Sequence, residues 1–182
     1  MHKTQILTRT AMGAVIIALC AWISIPAAVP FTLQTFGIFL VLAVLGPRQG
    51  TVSILVYILL GLIGLPVFAG FSGGPGALIG PTGGYILGFA LIGVVCLLTE
   101  KLPLPGTARL IFGSLVGLAV CYGFGTLWFI QVAAMGGKVY NLPAVLGMCV
   151  VPFILPDCIK LVLALAVGRR LARALHLAGL PG

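Results

Sequence analysis

The stretch LPAVLGMCVVPFILPDCIKLVLALAVGRRLARAL, residues 142–175, decides the fold class. From Leu142 to Gly168 its only charged side chains are Asp157 and Lys160, and it closes on Arg169, Arg170 and Arg173. A membrane-crossing helix needs about 20 predominantly apolar residues. Lys and Arg collect where such a helix meets the cytoplasm. The run is too long for one plain span. Pro152 and Pro156 are expected to divide it into a short helix before Pro152 and a span over 156–174.

The same texture continues outward. Apolar runs cover 7–25, ended by Pro26; 32–45, ended by Gly46-Pro47; and 51–65, ended by Pro66. Two more cover 85–98 and 108–133, and a Gly-rich segment, 69–84, separates the third run from the fourth. The expectation is one all-α integral membrane domain over residues 1–182 with six transmembrane helices.

Composition excludes the main alternatives. The chain is 61% hydrophobic and carries 26 Gly, and only 7% of it is charged, against about 25% in an average soluble domain. A soluble fold of this size buries too small a share of its surface to hide that much apolar side chain. The net charge is +8, but the basic residues are distributed over the gaps that flank the apolar runs. They do not form the clustered footprint of a nucleic-acid binder. Cys20, Cys96, Cys121, Cys149 and Cys158 include no CxxC pair and lie in or beside apolar runs, as small buried hydrophobes do.

Charge counting sets an orientation. With the N-terminus in the cytoplasm, Lys3, Arg9, Arg48, Lys101, Arg109, Arg169, Arg170 and Arg173 are cytoplasmic and Lys138 alone is outside. The positive-inside bias therefore places both termini in the cytoplasm and the 69–84 loop outside, in a multi-pass protein of the cell membrane. Lys3 and Arg9, the apolar run to Ile25 and Ala27-Ala28 also have the order of a signal peptide. A signal core is usually only about 7–15 residues, so the first run is read as a retained helix.

Within the spans, Asp157 and Lys160 are the costly residues, since each charge near the bilayer centre costs roughly 2.5–3.5 kcal/mol. Spaced i and i+3, they share a helix face and can pair. A pair that merely pins helices is the plainer reading, yet apolar residues do that as well. An ionisable group inside a span marks a functional site. Lys160 offers donors and positive charge for a carboxylate, and Asp157 offers acceptors for N–H groups. The pair suits a small anion that also carries amide-like N–H groups. No second acid, base or metal-ligand set accompanies it, so a membrane enzyme has little to stand on. A proton relay built on the pair faces the scarcity of polar residues in the spans.

The loop containing Ser72, Gly73 and Thr82 reads either as a connector or as a lid whose glycine backbone approaches a ligand closely. Phe68, Phe71 and Tyr85 flank it and offer apolar walls. Small-residue spacing appears at Gly84/Gly88 and Gly113/Gly117, where internal helix packing is expected. It also appears at Ala11, Ala14, Ala18 and Ala21, where packing and a partner protein both remain open.

Five blocks, in order, resemble the BioY family: Pro30 to Gly37, Leu45 to Arg48, Gly64 to Gly70, Gly80 to Tyr85, and Pro152-Phe153 followed by Asp157 and Lys160. BioY proteins are the biotin-specific S components of energy-coupling factor (ECF) transporters. The resemblance implies a six-helix S-component bundle that captures biotin and hydrolyses no ATP. It implies no cofactor and no metal, and as partners a transmembrane T component and two cytoplasmic ATPase subunits. It implies that Lys160 meets the biotin carboxylate and Asp157 a ureido N–H. Tyr85, Phe68, Phe71, Ser72, Gly73 and Thr82 would line the site, and Ala11, Ala14 and Ala18 would dock on the T component. Ser72 stands where some members carry an amide side chain. An S component for another small anionic solute is the nearest alternative. Thiamine and riboflavin lack biotin's carboxylate, which the Lys160 reading requires.

Overall fold

The computed structural model describes residues 2–26 and 29–177; Ala27-Ala28 lie outside the described residues. Helix α1 spans His2–Trp22, and a short antiparallel ribbon pairs β1 (Ser24–Ile25) with β2 (Phe31–Thr32) in the register Ser24 to Thr32. Helix α2 covers Gln34–Leu62, a 3-10 turn Ala69–Phe71, α3 Pro75–Ile79, α4 Gly83–Thr99 and α5 Gly106–Met135. Helices α6 (Leu142–Cys149) and α7 (Val151–Leu177) follow. The segments 3–22, 106–135 and 142–171 are long and apolar enough to cross a membrane, 34–62 reaches that length only when its two arms are counted together, and α4 is a shorter apolar helix. Leu7, Leu127, Leu155 and Val162 stand on the outer surface, as side chains facing lipid do.

Helix α2 is two antiparallel arms with almost no loop. In a straight helix, Gln34 and Tyr57 would lie about 35 Å apart at 1.5 Å per residue. Instead Gln34 Nε2 donates to Tyr57 Oη at 2.6 Å. A Cβ on Gly50 would come within 3.0 Å of the Leu42 Cα. The reversal is made by Gly46 at φ 77°, ψ 165°, a conformation that only glycine adopts without strain. Pro47 follows at the first position of the second arm, where its fixed φ suits helix entry and its missing N–H costs nothing. The expected spans 32–45 and 51–65 are therefore arms 34–45 and 47–62, with helix taking up the residues read as a connection.

Two further expectations change. Pro156 does not start the last span, because α7 begins at Val151 and runs through it. Pro152 lies in the first turn, where N–H groups have no intrahelical partner. Pro156 thus removes a single bond, and the break falls at Val150 (φ −123°, ψ −57°). The Gly-rich segment is not uniformly loop, since it contains the 3-10 turn and α3 and its last two residues open α4.

Helix α4 packs along α5, α1 along α2, and α2 also against α7 and α4. Glycines set the α4–α5 spacing: a Cβ on Gly88 would meet Cys121 Sγ at 2.7 Å, and one on Gly117 the Ile92 Cα at 2.8 Å. Gly84 faces Trp128 and Gly113 faces Thr99 and Cys96 in the same seam. One end of the bundle holds the Gly46-Pro47 turn, the α4–α5 connection and Arg169. The other holds the ribbon and the 63–82 segment, tied to α1 by Trp22 Nε1 donating to the Pro66 carbonyl at 2.8 Å.

Gly88→Leu or Gly117→Leu is expected to destabilise the protein by about 1–3 kcal/mol through overpacking. Gly123, whose Cβ position is open, is the matched control. Thermal unfolding in detergent should show a lowered midpoint for the first two and little change for Gly123→Leu.

Candidate functional site

A cavity of about 440 Å³ opens toward the ribbon end of the bundle. Its polar pole is built from four segments. Asp157 and Lys160, from α7, are 2% and 6% exposed and form an ion pair at 2.7 Å. Lys160 Nζ also donates to the Thr32 carbonyl at 2.7 Å and to Thr35 Oγ1 at 3.2 Å. An ammonium has three protons, and each finds an acceptor here. Asp157 Oδ1 additionally accepts from Thr35 Oγ1 at 2.8 Å, and Oδ2 accepts from Tyr122 Oη of α5 at 2.6 Å. The Phe31 ring lies 4.4 Å from Lys160 Nζ, in cation–π range, and stacks on Phe153.

The local backbone explains this convergence. The β1–β2 ribbon holds Thr32 at the mouth of α2, so its carbonyl stays free of helical bonding and accepts from Lys160. Thr35 follows in the first turn of α2, and its hydroxyl both accepts from Lys160 and donates to Asp157. The i, i+3 spacing in α7 puts the two charges side by side.

Around this pole, Phe68, Ile86, Phe89 and Leu118 give apolar wall, and Tyr85, Ser72, Gly73 and Thr82 complete the expected lining. Tyr85 Oη lies 3.2 Å from Thr126 Oγ1. Phe68 is fully buried and meets Tyr57 edge-on. Phe71 departs from expectation. It is 63% exposed and stacks on Trp22, with its backbone at φ 57°, and it does not line the cavity. The 3-10 turn rotates it away from Phe68, three residues before it.

The alanine stripe also departs. Ala14 and Ala18 are 1% and 7% exposed and belong to the protein's own core, with Ala21. The inward stripe of α1 is that of its packing against α2, so these two methyls are not free for a partner. Ala11 is exposed, beside Met12, Val15 and Leu19.

The contact between Asp157 and Lys160 limits how a ligand can use them. Groups at opposite ends of an extended molecule cannot both reach atoms 2.7 Å apart. The pair therefore presents one donor–acceptor pole, and Asp157 Oδ2, with one bond made, has lone-pair capacity for another. Thr32, Thr35, Tyr122 and Phe31 were not singled out as site residues from sequence. A phenol in an apolar helix needs a partner when buried, and that was the available signal for Tyr122.

The BioY family model matches residues 1–177. The chain is 40% identical over 169 residues to the biotin transporter BioY of Thermotoga maritima, covering 92% of this chain and 95% of that one. It is 38% identical to the biotin transporter BioY2 of Lactococcus lactis, with 95% and 93% covered. Among solved structures it is similar to the S-component for biotin from an ECF-type ABC transporter. That match has a TM-score of 0.75 at 31% identity and covers 94% of this chain and 93% of that one.

Lys160→Met should destabilise the protein by about 3–5 kcal/mol, because it leaves a buried carboxylate uncompensated. Adding Asp157→Leu in the same chain should recover most of that loss, read as the unfolding midpoint in detergent. A double variant no more stable than Lys160→Met would show that the two side chains are not energetically coupled.

Proposed function

The chain belongs to the BioY family, and from that premise we propose that it is the substrate-capture subunit, the S component, of an ECF-type biotin transporter. It is a transporter subunit, not an enzyme. The observation that carries the chemical reading is the donor–acceptor pole formed by Asp157 and Lys160 at one end of an apolar cavity. A cyclic urea presents an N–H and a carbonyl side by side. Its N–H matches the lone-pair capacity on Asp157 Oδ2, and its carbonyl can take a Lys160 proton in exchange for the longer bond to Thr35. The thiophane ring and alkyl tail then lie against Phe68, Phe89 and Leu118. The acid end extends toward Ser72, Gly73 and Thr82. At about 440 Å³ the cavity is within the usual range for small-molecule sites, about 300–1,000 Å³.

The six helical runs cross the cytoplasmic membrane with both termini inside and the biotin cavity facing outward. The Gly-rich segment closes over bound vitamin. A T component meets the exposed apolar face of α1 around Ala11, Met12 and Val15. Two cytoplasmic ATPase subunits supply hydrolysis, and no cofactor takes part.

Purified protein, freed of carried-over biotin, should bind labelled biotin, and Asp157→Asn and Lys160→Ala should lose most of that binding. No binding by folded wild-type protein would overturn the assignment of biotin. With the urea at the pole, Lys160→Ala should weaken biotin and biotin amide by similar factors. A loss confined to the free acid would put the carboxylate at Lys160 instead.

A further inference from the structure

The end of the bundle opposite the biotin cavity holds a second, larger cavity of about 800 Å³. Its wall carries Arg48, Lys101, Arg109 and Arg169 against a single carboxylate, Glu100. The chain has only two acidic side chains, and the other, Asp157, is committed to Lys160 in the biotin cavity. The Glu100 carboxylate meets only one of these cations. Its carboxylate lies 3.5 Å from Arg48 Nε, and its backbone carbonyl accepts from Arg109 at 2.6 Å. Four cations around one anion leave a strong local excess of positive charge. Among the described residues, the only salt bridges are those of Arg48 and Lys160.

Apart from Thr99 and Thr107, the rest of the wall is apolar. Leu42, Leu97 and Leu110 line the cavity, and Leu98 both lines it and is exposed on the outer surface. The cavity thus joins a basic floor to a greasy side opening. In the topology proposed above, this end of the bundle lies at the cytoplasmic headgroup layer. A free inorganic anion would use the charges and leave the leucines idle, whereas a molecule with an anionic head and acyl chains uses both. We propose that this cavity is a binding site for the phosphate headgroup of an anionic phospholipid, with an acyl chain leaving past Leu98. Basic pockets between helix ends take such headgroups through charge-assisted hydrogen bonds.

The test uses the purified full chain in uncharged detergent, with phosphatidylglycerol, phosphatidylcholine or inorganic phosphate added. Bound lipid is counted by native mass spectrometry, and unfolding midpoints are recorded alongside. Wild-type protein should retain phosphatidylglycerol and gain thermal stability from it, and should do neither with phosphatidylcholine. The Lys101→Gln/Arg169→Gln double variant should retain phosphatidylglycerol about 5-fold less for each charge removed. Lys138→Gln/Arg170→Gln removes the same charge from positions outside the cavity wall and should leave retention unchanged. Biotin binding by each variant, at the far end of the bundle, reports that it is folded. Equal retention of the two lipids, equal losses in the two double variants, or stabilisation by inorganic phosphate as large as that by phosphatidylglycerol would each overturn the proposal.

Discussion

A single buried ammonium organises the ribbon end of this protein. Lys160 Nζ has three protons, and the structure gives it the Thr32 carbonyl, Thr35 Oγ1 and Asp157 Oδ1. These acceptors come from the ribbon, the first arm of α2 and α7, and Tyr122 adds α5 through the carboxylate. Lys160 is only 6% exposed, so its hydrogen bonds are made by protein groups. The geometry of four segments is therefore set by the need to keep one charge fully solvated by protein. A cavity built around that requirement is polar at one pole and apolar elsewhere, which is the shape of a ligand with a polar ring and a hydrocarbon tail.

The second constraint is steric. At Gly88 and Gly117 the helices α4 and α5 approach until any side chain would strike Cys121 or the Ile92 backbone. Lipid tails are as apolar as leucine, so association in the membrane depends on such close packing more than on burial. The seam fixes Tyr85 and Tyr122 relative to each other. That positions Tyr122 over Asp157 with no polar scaffold of its own.

Much of this was legible in the residues. Apolar run lengths located the helices, and the cost of charge in lipid singled out Asp157 and Lys160. The glycine pairs Gly84/Gly88 and Gly113/Gly117 pointed to internal helix packing, and the structure puts both in the α4–α5 seam. Other features depend on three-dimensional context. Gly46-Pro47 signalled a break, but that one residue suffices to reverse the chain follows from its positive φ. Pro156 looked like a helix start because proline usually interrupts a helix, whereas near an N-terminus the interruption costs one bond. The faces of α1 hinge on which partner it meets. Ala14 and Ala18 turned inward against α2, and a small-residue stripe reads the same whether its neighbour is in the same chain or another. Phe71 flanks the Gly-rich segment in sequence as Phe68 and Tyr85 do, and only the 3-10 turn carries it away from the cavity.

The polar pole also has a place in the order of synthesis. Thr35 and Thr32 lie 122 and 128 residues before Asp157 and Lys160, the partners they meet. A nascent chain emerges N-terminus first, so Thr32, Thr35 and Tyr122 are already in the bilayer when α7 arrives with both charges. That helix enters carrying an acid and a base one turn apart, able to neutralise each other before any tertiary contact exists. The polar pole is thus assembled only when α7 arrives, and that closing element is also the one that brings its own counterion.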